Sequence, residues 1–321
     1  MVLDSSPSDA SLTGAGFTYA GIVTTDGWRA RAPMLTGRYV LAAVPVNGVV
    51  YAIGGWSGKA NYETTVEAYD PATNSWSTKA SMPTGRWGLA AAPVGTIIYA
   101  LGGVSAASNF ETKNEAYDTV ANTWDTTRTA MTTGRRYLSA TAVSGVVYAL
   151  GGTSSTVTNE ARNEAYTPGP NSWMTRTAMP TGRFGLASAA VNGLIYAVGG
   201  WSVANQFETV NEAYNPVGNS WDTTRAPMPT GRNLLAAAPL LGLVYAVGGT
   251  SAANTWETTT ESFDPAANSW SGRAALATGR YGLAIAAPNG MIFAVGGSSS
   301  ASAYETRNEA YTPPLYVYTK N

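Results

Sequence analysis

Apolar and polar positions along the chain fall into six copies of one pattern. Each copy has a long uncharged run, of which Trp87–Ala107, "WGLAAAPVGTIIYALGGVSAA", is one. Its 21 residues would be enough to cross a bilayer. The related runs break in the middle, at Asn47-Gly48 in one and Asn192-Gly193 in another. Asn-Gly between two apolar segments is a hairpin signal. The second half of each run, such as "VVYAIGG" or "IIYALGG", has the β-branched and aromatic content of a buried strand. The pattern therefore predicts two buried strands per run and no membrane span.

Four markers keep the same step. "TGR" begins at Thr36, Thr84, Thr133, Thr181, Thr230 and Thr278, at intervals of 48, 49, 48, 49 and 48. "GG", a Glu-Ala-Tyr triplet (once Glu-Ser-Phe) and a Trp recur in phase with it. Each unit then parses into four strands: a (about Tyr39–Pro45), b (Val49–Gly54), c (Glu63–Tyr69) and d (Ser75–Lys79). The cluster "DPATNS" supplies a turn between c and d. Four short antiparallel strands repeated six times predict an all-β, six-bladed propeller. Residues 1–16 form an N-terminal extension and 17–321 the single propeller. Trp28 lies in an orphan d strand, "GWRARAPM", which is expected to complete the last blade around residues 26–32. The tail "LYVYTK" has Tyr318 in the same register and is the alternative for that place.

These markers closely resemble the kelch repeat: a Gly-Gly doublet after strand b, then Tyr and Trp a few residues apart, with an Arg before strand a. The step from Tyr69 to Trp76 is seven where the family's is about six. The resemblance runs from about Trp28 to Tyr311. It implies a fold shared by enzymes, adaptors and binding modules.

Composition narrows the chemistry. Cys and His are both absent, which removes disulfides, the usual zinc sets and the Ser-His-Asp and Cys-His triads. Among kelch proteins, the resemblance to galactose oxidase cannot extend to its Cys-, Tyr- and His-bound copper, nor that to specifier proteins to their His-containing iron site. A bacterial sialic-acid epimerase, which uses Arg and carboxylates, stays open. No cofactor and no metal is implied; the "DPATN"-type turns carry too few oxygens for calcium. Net charge is −1, so nothing points to nucleic acid or an anionic membrane. Charged residues are 12 %, about half the usual share. A surface that poor in charge and rich in Ser, Thr and Asn points to an extracellular or cell-surface bacterial protein, a monomer, with the cytoplasm as the alternative. "MVLDSSPSDASLTGAG" has neither the basic nor the apolar region of a signal peptide.

Residues present in every unit read as scaffold. Arg38, Arg86, Arg135, Arg183, Arg232 and Arg280 are expected to pair with glutamates across strands. Glu63 and Glu67 are four apart on strand c, so their backbones should stand about 13 Å apart, too far for a glycosidase pair at about 5–9.5 Å. Lys113, Arg162 and Arg307 read as solvated charges, and Lys59 is a further variable cation.

Positions that vary between units read as site. The d–a and b–c connections emerge on one face, and the b–c loops are long and dissimilar, as recognition loops are. Tyr39, Trp87, Arg136, Phe184, Asn233 and Tyr281 follow "TGR" and are expected to ring the channel mouth. Tyr62, Phe110, Asn159, Phe207, Trp256 and Tyr304 end the b–c loops, and Trp56 and Trp201 follow "GG". By position, the resemblance implies that such places line a pocket. Aromatics broken by one Arg and one Asn suit a neutral or mildly anionic small ligand, a glycan among them, or a protein segment. The expected function is non-enzymatic binding on this face. An epimerase- or cyclase-like enzyme using Arg and carboxylates at the same mouth is the alternative.

Overall fold

The computed structural model describes residues 2–4, 15, 17–24, 26–58, 62–203, 206–251, 255–300 and 303–320. Among them there is no helix, and six four-stranded antiparallel sheets form the blades of a propeller. Blade 1 shows the plan: Ala42–Val46 (a), Val49–Ile53 (b), Val66–Asp70 (c) and Ser75–Thr78 (d), paired in that order. The uncharged stretch 87–107 folds as strands a and b of blade 2, Ala90–Val94 and Ile97–Leu101. The a–b turn places Asn47 at φ 49° and Gly48 at φ 82°, the two left-handed residues of a type I′ hairpin.

Two boundaries differ from the sequence reading by three residues, the others by one at most. Strand a starts at Ala42, not Tyr39, because residue 40 has φ 45° and breaks the extended run. Strand c starts at Val66, so Glu63 belongs to the b–c loop, where its backbone N–H reaches Gly55 O.

Three devices join neighbouring blades. The Trp of each d strand donates its indole N–H to a carbonyl of the preceding blade, Trp76 to Ala32 at 2.8 Å and Trp124 to Ala80 at 2.9 Å. The Asn two residues earlier accepts the N–H of that same residue: Asn74 Oδ1 from Ala32 and Asn122 Oδ1 from Ala80. The Gly-Gly doublet packs on the next blade's Arg, with Gly55 N–H on Arg86 O at 2.8 Å. A Cβ on Gly54 would lie 2.6 Å from that oxygen, so the column must be glycine.

Blade 6 is closed from both ends of the chain. Its strands a to c are Ala284–Ala286, Ile292–Val295 and Asn308–Thr312, and its outer strand is Gly27–Ala30. Trp28 donates to Ala274 O at 2.9 Å, the bond every other blade makes. The tail Leu315–Lys320 is instead the middle of a separate three-stranded sheet with Val2–Asp4 and Phe17–Thr24.

Candidate functional site

The six arginines after "TG" are fully buried and bound within their own blades. Arg86 meets Glu115 at 2.7 Å and Arg135 meets Glu164 at 2.6 Å, and all six pairs fall between 2.5 and 3.1 Å. Burial pulls the Arg86 and Arg135 guanidiniums below their ordinary range, with the paired carboxylates acting against it. The loop glutamates are engaged as well. Ser154 donates to Glu160 at 2.5 Å, and Ser57, Ser105, Ser202, Ser251 and Ser299 donate in the same way to Glu63, Glu111, Glu208, Glu257 and Glu305. Arg162 and Arg307 are half exposed and ion-paired to Glu160 and Glu305, and Lys113 is exposed. Lys59 lies outside the described residues.

The residue two after each buried Arg faces the axis. These are Val40, Gly88, Tyr137, Gly185, Leu234 and Gly282, all at φ between 45° and 62°. Each donates its N–H to the carbonyl of its counterpart in the preceding blade at 2.7–2.9 Å, so six backbone hydrogen bonds form a closed circle. Large side chains alternate with glycine, and at two of the three glycines a side chain would collide: a Cβ on Gly282 would lie 2.9 Å from Val40 Cγ1 and one on Gly185 2.0 Å from Asn233 Oδ1. Beneath the circle a ring of buried leucines, such as Leu89 and Leu138, lines a cavity of about 90 Å³. Below that runs a channel of about 260 Å³ walled mainly by Ala and Pro, among them Ala43, Pro45, Ala91 and Pro93.

The residue directly after each Arg therefore sits one step out from the axis. Tyr39, Trp87, Arg136, Phe184, Asn233 and Tyr281 each form a two-residue bridge with the residue after "GG", namely Trp56, Val104, Thr153, Trp201, Thr250 and Ser298. This brings the variable d–a and b–c positions together on one face.

The aromatic members form a band around that face. Tyr39 stacks on Tyr304 at 5.6 Å and meets Tyr281 edge-on at 5.8 Å. A second group runs from Tyr62 through Trp56, Trp87, Tyr137 and Phe184 to Trp201 and Phe207, with centroid separations of 4.9–6.5 Å. Among the described residues Trp256 joins no ring pair. Blade 5 interrupts the band with Asn233, Leu234 and Thr250. Asn159 lies on the loop of blade 3, where its amide oxygen accepts from Val203 N at 2.8 Å. Tyr137 is the member that inspection of the residues after "TGR" misses. The alternation of glycine with large residues in the next column was the signal for it.

Arg136 sits inside this band. Its guanidinium carbon is 5.3 Å from the Phe110 ring centre, 5.6 Å from Tyr137 and 5.8 Å from Trp87, all within cation–π range. Burial pushes the Tyr137 hydroxyl up to about 12, against the pull of the Arg136 charge.

Compared with known proteins, the chain matches the family model for the kelch motif over residues 38–83, 86–129, 182–225 and 231–274, together more than half its length. Among solved structures, one described as "Structure of YjhT" superposes with a TM-score of 0.71 at 15 % identity, over 91 % of this chain and 99 % of that one. No curated protein matches the sequence.

Proposed function

The chain belongs to the kelch-repeat family, and from that premise we propose that it is a non-catalytic recognition module whose site is the aromatic band of the d–a and b–c face. The observation that carries this reading is the enclosure of Arg136 by Trp87, Phe110 and Tyr137. Large planar side chains around one arginine are the composition of an interface anchor. They equally suit the stacking of a sugar ring. The closed circle of backbone bonds favours binding beside the axis over entry into the channel.

An enzyme on this face, lacking His, would draw on a carboxylate, Tyr, Lys or Arg to move a proton, and the carboxylates are the ordinary bases among these. The twelve repeated glutamates are all held, six by buried arginines and six by serines of their own loops. That supports recognition over turnover.

The test is binding of the intact chain to glycan and peptide arrays, beside the variant Trp87→Ala/Tyr281→Ala, which removes one ring from each group. Signal that the variant loses supports the reading. Signal that the variant keeps in full moves the site elsewhere, and conversion of a bound glycan overturns the non-catalytic reading.

A further inference from the structure

We propose, resting on the recognition reading above, that the ligand presents a carboxylate to a two-donor seat formed by Arg136 and Trp87 at the junction of blades 2 and 3.

The two side chains share one property. The indole N–H of Trp87 is buried and meets no acceptor, and so is the Nε–H of Arg136. A buried Nε–H without an acceptor recurs in this fold, at Arg38, Arg135, Arg183 and Arg280 among others; what sets these two residues apart is the indole of Trp87 and the lack of any counter-ion for Arg136. All six tryptophans of the d strands donate to a carbonyl of the neighbouring blade, as Trp173 does to Thr129 at 2.8 Å. All six arginines of the "TGR" triplets are ion-paired. Arg136 has no ion pair and no side-chain hydrogen bond among the described residues. An indole N–H taken from water without a partner costs free energy, and so, to a smaller degree, does one edge of a guanidinium. Here both costs fall on adjacent residues of the face whose loops vary most.

Two neighbouring donors, one of them cationic, define the complementary group. It must accept from both and carry negative charge, which is the chemistry of a carboxylate. The surrounding rings exclude water and strengthen that contact. A third buried group without a partner, Asn233 Oδ1, stands above Gly185 at the next junction but one. It is an acceptor, and suits an N–H or O–H on the same ligand. A carboxylate with such a donor nearby occurs in acidic peptides and in acidic sugars, and the test separates the two.

Nitrogen-15 correlation spectra of the intact chain report both donors directly, through the indole resonance of Trp87 and the Nε–H resonance of Arg136. The probes are N-acetylglutamate against N-acetylglutamine, and glucuronate against glucose. The expected result is a saturable shift of both resonances with at least one acid and none with its neutral counterpart. Arg136→Met should weaken the acid by about tenfold or more, since a hydrogen bond to a charged group contributes roughly 1.5–3 kcal/mol. The acid that binds more tightly identifies the source. Equal shifts with acid and neutral probes, or unchanged acid affinity in Arg136→Met, would overturn the proposal. Neutral ligands that still require Trp87 and Tyr281 would then leave the recognition reading standing, whereas loss of every ligand from the face would remove both.

Discussion

Val40 donates its backbone N–H to the carbonyl oxygen of Gly282 at 2.7 Å, across the junction where the first blade meets the sixth. The bond completes a circle that no single blade can build. It uses all six amide hydrogens at the mouth, so the axis has no free backbone donor for a ligand there. The left-handed φ that turns these residues inward also turns their predecessors outward. One backbone choice thus closes the circle around the axis and raises the variable side chains, Arg136 among them, onto the open face.

The circle makes glycine substitutions unequal. Gly185 has φ 61°, and a Cβ there would lie 2.0 Å from Asn233 Oδ1. Gly185→Ala should lower stability by about 1–3 kcal/mol, the range of strained backbone positions, and displace Asn233. Gly27→Ala meets nothing within 4 Å and has no left-handed φ, so it should be near neutral. Urea denaturation of the two variants checks the contrast. Equal midpoints would mean that the circle relaxes at no cost.

Closure rests on Trp28 and Asp26. Asp26 Oδ2 accepts Ala274 N–H at 3.0 Å, the bond that an Asn makes in the other five blades. Those asparagines also form left-handed turns, at φ 48–55°. Asp26 follows no c–d turn and needs only the oxygen. Asp26→Asn should therefore keep stability, and Asp26→Ala should lose about 1 kcal/mol. Trp28→Ala should cost about 3 kcal/mol, as much as Trp173→Ala inside the continuous chain. A much smaller cost for Trp28 would show that the ring does not depend on its N-terminal strand.

The sequence exposes the fold because the fold is sixfold: a Trp, a Tyr or a Gly-Gly repeated at 48–49 residues must meet the same environment each time. The Arg–Glu pairing of Arg135 with Glu164 could be read for the same reason. The face was readable only in part. Arg136 and Trp87 stand out by departing from their columns, but no spacing reports that their N–H groups lack acceptors. That depends on where Phe110 and Tyr137 come to rest, and both belong to stretches that differ from blade to blade. The place of Tyr39 was displaced by one residue because Val40, a β-branched residue, adopts a conformation that its type disfavours.

The buried ion pairs are expected to be costly to break from one side. Arg135→Met leaves Glu164 buried and unpaired, which should cost about 3–5 kcal/mol. Adding Glu164→Leu should return part of the loss and give a coupling energy of about 2 kcal/mol in the double-mutant cycle. The carbonyl of Gly151, which accepts from Arg135 at 2.7 Å, keeps the recovery incomplete. Additive losses would mean that the two side chains do not act as a pair.

Alkali should unfold the propeller through its tyrosines. Burial raises the hydroxyls of Tyr51, Tyr99, Tyr148, Tyr166 and Tyr214 above the ordinary 10.0, and those of Tyr117 and Tyr137 to about 12. The unfolded chain therefore loses these protons first. Their contribution is complete below pH 10 and declines as pH rises through the folded values, towards about 12. With no His and no Cys, the chain has no side chain whose ordinary value lies between about pH 6 and 9. Thermal midpoints should be flat over that range and then fall steeply above 10, with tyrosinate absorbance at long wavelength appearing together with loss of the far-ultraviolet β signal. Tyrosinate that forms fully while the β signal persists would show that these hydroxyls ionise inside the folded ring, and that their burial does not set the alkaline limit.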